Sequence, residues 1–140
     1  MTPPDALDGT ARVTAPGADA RHWAEVAATA ADDKLAVDTV ILDVGDVLAV
    51  TDLFVITSGT NPRQVRAIVD EVEARVAEQG GPRPVRVEGR DTREWVLLDY
   101  GAFVVHVFDE KTRAHYQLER LWGDRPRWRP GRSSSTAPGS

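Results

Sequence analysis

The sequence contains no cysteine. That absence excludes a disulfide framework and any thiolate metal site, and with His22, His106 and His115 scattered along the chain, most zinc chemistry goes with it. No metal and no cofactor are expected. Positive charge is also scarce. Seventeen Lys and Arg stand against 22 Asp and Glu, a net charge of −5, whereas a surface dedicated to nucleic acid needs clustered basic residues to neutralise phosphates. No stretch approaches the roughly 18 consecutive apolar residues of a membrane span. The opening MTPPDALDGTARVTAPGADA lacks the basic segment and apolar core of a leader. The expectation is a soluble, cytoplasmic protein with no membrane partner. At 140 residues, 41% of them hydrophobic, the chain suits one domain with one moderate core.

The charge is unevenly spread. Residues 1–19 hold one Arg and three Asp, residues 124–140 hold four Arg and one Asp, and the body between them holds 12 basic and 18 acidic residues. The body is acidic and only the tail is basic. Residues 1–19, with Pro3, Pro4, Gly9, Pro16 and Gly17, bury too little apolar area to offset ordering and read as a disordered arm. Residues 124–140 read as a disordered Arg/Pro/Ser-rich tail, in which Arg125, Arg127 and Arg129 alternate around Pro126 and Trp128. Its composition is that of a solvated end, and its charge suits a weak contact with RNA phosphates.

The domain between, residues 20–123, alternates helix and strand signals. A helix is expected over Ala20–Ala31, capped by Asp19, with Trp23, Val26, Ala27 and Ala30 at helical spacing. Val37–Val44 and Leu53–Ser58 are β-branched and apolar, with an indeterminate connection between them. The strongest helix signal follows: Asn61 as cap, Pro62 at the first position, a stripe of Val65, Ile68, Val69, Val72 and Val76, and Gly80 beyond the end. Val85–Gly89 is a short strand, Arg93–Asp109 a hairpin turning at Tyr100-Gly101, and Asp109–Trp122 a last helix ended by Gly123. The order predicts an α/β fold, one mixed sheet of about five strands flanked by helices. The passage from Leu53 to Val87 suits a crossover between parallel strands.

Three clusters bear on chemistry. Ser58, Gly59 and Thr60 precede a helix N-terminus with Arg63 nearby, an arrangement compatible with an anion, although Thr60 and Asn61 as plain caps explain it as well and neither a P-loop nor GxGxxG is present. Asp43, Asp46 and Asp52 are close in sequence, but no pair sits two apart on one strand, so strand ends and turn caps account for them better than a magnesium site. Asp99 and His106 resemble an acid/base pair without a nucleophile beside them.

The hairpin itself poses the sharper question. With Asp99 opposite Ala102, Trp95 faces His106 and Leu97 faces Val104, and Asp99 and Phe108 share that side; Val96, Leu98, Phe103, Val105 and Val107 fill the other. One face is plain core. The other mixes Trp, His and Asp into apolar surface, the composition of either a face covered by the chain's own helix or the core of a protein interface.

LFVITSGTNPRQVRAIVDEVE, VEG, EWVLLDYGAFVVHVF and YQLERLWGD, in this order and spacing, resemble the Iojap family of ribosome silencing factors (RsfS) from about Ala20 to Asp124. The resemblance implies a nucleotidyltransferase-like fold without that catalytic work: Ser58-Gly59-Thr60 is similar to the remnant of a Gly-Ser turn, and the paired acids are missing. It implies binding to a protein on the intersubunit face of the large ribosomal subunit, large-subunit ribosomal protein fourteen, so that the small subunit cannot join and translation is repressed when nutrients are scarce. Trp95, Leu97, Asp99, Tyr100, Val104, His106, Phe108 and Tyr116 are the protein-binding residues it implies. Beside it stand a homodimer of the free protein, an added rRNA contact by the tail, and the alternative of a nucleotide-binding or nucleotidyltransferase-like enzyme.

Overall fold

A computed structural model describes residues 16–45, 51–123 and 125–130. The first helix, α1 (Pro16–Asp33), begins earlier than expected, so Asp19 lies in its first turn rather than at its cap. Its buried face is almost all alanine: Ala20, Ala24, Ala27, Ala28, Ala30 and Ala31. Such small side chains let the helix lie close to its neighbours, and the larger Trp23 fills the space at the side. Gly81 fits against this packing, because a Cβ there would come within 2.8 Å of the Trp23 ring.

Strand β1 (Val37–Asp43) and strand β2 (Leu53–Gly59) pair antiparallel, with an irregularity between Val37 and Val40. Asp38 sits at that irregularity with φ +56, and its side chain leaves the sheet. Helix α2 (Pro62–Glu78) follows the sequence signal closely: the Asn61 side chain accepts from Gln64 N–H, Pro62 opens the helix, and the predicted valine and isoleucine stripe is buried. Strand β3 (Arg86–Glu88) leads to the hairpin of β4 (Trp95–Asp99) and β5 (Phe103–Asp109). Strand β2 and β5 are parallel neighbours at the centre of the sheet. The crossover from β2 through α2 therefore ends at β3 on the far edge, with β5 and β4 between.

Two expectations fail after the hairpin. Helix α3 (Glu110–Tyr116) is only two turns long, because Gln117 adopts φ +50 and the chain continues as a 3-10 turn over Leu118–Trp122. The tail is not wholly disordered. Arg127–Trp128 forms a sixth strand, β6, antiparallel to β1, giving the sheet order β3-β4-β5-β2-β1-β6. Trp128 is buried: it packs in the helix-side core, donates its indole N–H to Glu25 at 2.7 Å, and lies 4.1 Å beneath the Arg21 guanidinium. The domain thus extends beyond 20–123 at both ends; residues 1–15 and 131–140 of the proposed arms lie outside the described residues.

The α/β architecture and mixed sheet are as expected, and the layering is lopsided. Both long helices pack on one face, over Ile41, Val55, Val96, Leu98, Val105 and Val107. The other face carries a smaller cluster of Val40, Leu42, Val44, Ile56 and Phe108, against which Phe54, Trp95, Leu118 and Trp122 are partly buried.

Candidate functional site

The second face is built on the β4–β5 hairpin. Its register differs from the expected one: Trp95 pairs with Phe108, Leu97 with His106 and Asp99 with Val104. The reason lies in the turn. Tyr100 N–H donates to Phe103 O, leaving Gly101 and Ala102 as a two-residue loop, and Gly101 takes φ +89 at its first position. A shift of two in the pairing keeps every side chain on its expected face. Trp95 and His106 still meet, now diagonally: the Trp95 indole N–H donates to His106 Nδ1 at 3.1 Å.

That bond defines the histidine. With Nδ1 accepting, the neutral ring carries its proton on Nε2, and Nε2 is buried without a partner among the described residues. The ring is 4% exposed, and burial pushes its pKa down to about 3. It is a neutral core histidine, edge-on to Phe54 at 4.6 Å. Around it the aromatic rings form a continuous layer. Trp95 lies 4.7 Å from Phe108 and 5.1 Å from Tyr116, and Phe54 meets Trp122 at 5.9 Å.

The layer is only partly roofed. Leu118 and Trp122 of the 3-10 turn cover the end over β1 and β2, while Trp95, Leu97 and Asp99 are half-buried, Tyr116 is 56% exposed and Leu121 73% exposed. Val104, His106 and Phe108 are buried and support this surface from beneath. Asp99 fixes the turn: one carboxylate oxygen accepts from Gly101 N–H at 2.8 Å and the other lies 3.4 Å from Arg86. It is thereby kept apart from His106.

Tyr100 does not belong to this face. It is buried on the helix side, stacked on Phe103 at 4.6 Å, and burial with Glu73 nearby pushes its hydroxyl up to about 12. Sequence reasoning missed Phe54, because its place beside Val104 depends on the parallel β2–β5 pairing, which has no local signal. Trp122 was expected only as the end of the last helix, with no indication that it reaches this sheet face.

The suggested anion cluster does not form a cradle. Ser58 is buried, donates to Val37 O and accepts from Arg113. Gly59 fits tightly beneath Val65, while Thr60 N–H and hydroxyl both donate to Gln64 Oε1. Arg63 stands exposed at the helix start. The helix cap itself uses these donors. Asp43 accepts from Gly45 N–H and faces Arg125 at 3.9 Å, and Asp46 lies outside the described residues.

The tail arginines fold back along the surface of the domain. Arg129 pairs with Asp38 at 2.6 Å, and this hydrogen bond above all holds the Asp38 carboxyl below its ordinary range. Arg127 donates to the carbonyls of Glu119 and Trp122. These bonds join β6 to the β1 irregularity and to the 3-10 turn.

Taken together, the elements define an α/β domain with helices on one sheet face and a half-open aromatic surface on the other. A family model described as ribosomal silencing factor during starvation, RsfS, matches residues 17–139. A ribosomal silencing factor of Bacillus subtilis is 43% identical over 102 residues, covering 73% of this chain and 86% of the relative. A crystal structure of a Chromobacterium violaceum protein superposes with a TM-score of 0.70 at 31% identity, over 85% of this chain and 92% of that one. One from Bacillus halodurans gives 0.65 at 39% identity, over 73% and 94%. The chain belongs to the RsfS family of ribosomal silencing factors, and so to proteins of ribosome-associated translational control.

Proposed function

We propose that this chain docks through its Trp95 face on a protein at the intersubunit side of the large ribosomal subunit, large-subunit ribosomal protein fourteen, and represses translation in nutrient scarcity by standing in the path of the small subunit. The observation that carries the reading is the unroofed strip of Trp95 and Leu97 on the sheet with the exposed Tyr116 ring of α3 packed against Trp95. Rigid aromatic and aliphatic anchors with a polar fringe are what an interface core requires. The acidic body, 12 basic residues against 18 acidic over 20–123, complements a basic ribosomal partner. A mouse relative, 34% identical over 88 residues, carries the name mitochondrial assembly of ribosomal large subunit protein 1.

The activity is occupancy. A standard-size interface buries roughly 1,600 Å² in total, enough for specific exclusion of a competing surface. In the free chain the same strip is available to a second copy, and a dimer so formed would compete with docking.

The test is co-sedimentation with isolated large subunits, followed by addition of small subunits and measurement of full ribosomes. Because Trp95 also supports the aromatic layer, Leu97→Asp is the cleaner probe. We expect the wild type to bind and to reduce joining, and the variant to lose about 2 kcal/mol of affinity or more, roughly 30-fold, while remaining folded. Equal binding by both chains refutes the assignment of this face.

A further inference from the structure

The 3-10 turn over Leu118–Trp122 is tied at its start by the Arg113–Glu119 pair at 3.1 Å and by Arg120 bonds to Gln117, while its far end depends on contacts from outside it. Short 3-10 segments have poor internal hydrogen-bond geometry, and this one starts from a left-handed Gln117. Leu118 and Trp122 rest on the sheet beneath it. From behind it is held by β6: one Arg127 nitrogen, Nη2, donates to Glu119 O at 3.2 Å and to Trp122 O at 3.3 Å, and Arg125 N–H donates to the same Trp122 carbonyl at 2.9 Å. Strand β6 in turn is fixed by the Trp128 indole in the core on the opposite side of the sheet.

We infer that Arg127 is a positioning residue for partner recognition: carried on β6, it sets the far end of the 3-10 turn and so places Trp122 at the border of the docking face. The inference rests on the docking reading above. Arg127 is exposed and bonds only to backbone carbonyls in these contacts, so its effect falls on where the turn sits more than on whether the domain folds. The arrangement assigns the basic tail an internal task. Trp128 anchors, and Arg127 reaches forward to the turn.

The experiment uses the full chain and compares wild type, Arg127→Ala, Arg127→Lys and Leu97→Asp by amide hydrogen exchange and by large-subunit co-sedimentation. In Arg127→Ala, exchange over residues 118–123 is expected to quicken by about tenfold, the loss of a charge-assisted hydrogen bond, with α2 and β2 protection unchanged. Affinity for large subunits falls severalfold in parallel, and Arg127→Lys, with one ammonium in place of the guanidinium, lies between. Unchanged exchange over the turn overturns the inference. So does quickened exchange with unaltered binding, while loss of binding in Leu97→Asp leaves the docking reading intact. A wild-type chain that does not bind large subunits fails the docking reading itself, and the positioning role with it.

Discussion

Acid should destabilise this protein through one histidine. In the folded chain His106 accepts from Trp95, is 4% exposed, and has its pKa pushed down by burial to about 3; in the unfolded chain it returns to its ordinary value of about 6.5. Below that value the unfolded state binds the proton and the folded state does not, so stability falls as pH falls. Each pKa unit corresponds to about 1.4 kcal/mol, and between pH 7 and pH 5 the loss comes to about 2 kcal/mol. The decline continues toward about pH 3, where the folded ring itself protonates. Asp38, whose carboxyl is lowered from 3.8, leaves the interval from pH 7 to pH 5 clear and adds its own loss of stability only below about pH 5. Urea unfolding at constant ionic strength across this range measures the slope directly. His106→Phe, which keeps a ring but cannot titrate, is the control: its absolute stability differs because Trp95 loses an acceptor, and its pH dependence should be flatter by the stated amount. Identical slopes in the two chains would refute a neutral buried His106.

Trp128→Ala removes a 5%-exposed indole, its bond to Glu25 and the Arg21 contact, and is expected to cost about 3–5 kcal/mol in urea unfolding; a cost below about 1 kcal/mol would mean that β6 is not docked. The buried hydroxyls of Thr39 and Thr57 meet at 2.7 Å between β1 and β2. Either Thr→Val change alone should cost about 1–3 kcal/mol by orphaning the other hydroxyl. The double variant should recover much of that loss, so additive costs in the cycle would argue against the pair.

Local signals were legible and non-local ones were not. Helix α2 could be read to within a few residues because cap, proline and stripe all lie inside it. Which hairpin residues share a face was also legible, since period-two alternation survives a register error of two. The register itself turned on whether Tyr100 belongs to the loop, which the Tyr100–Phe103 backbone bond decides. The break at Gln117 escaped notice because a left-handed residue there is not glycine. Strand β6 escaped because two residues between prolines carry no strand pattern, and Trp128 is held by partners in α1 and β1. The mixed aromatic face was visible as composition. Its membership was less so: Tyr100 proved to belong to the helix-side core, and Phe54 entered through a parallel pairing that the local sequence does not specify.

The Trp128–Glu25 bond joins residues 103 positions apart. Closing so long a loop brings an entropic cost before any contact rewards it, so β6 is expected to join in the late part of folding. Contacts made after the transition state affect chiefly how fast the native state is lost. The anchor at Trp128 is therefore expected to act as a kinetic brake, so that Trp128→Ala quickens unfolding far more than it slows folding.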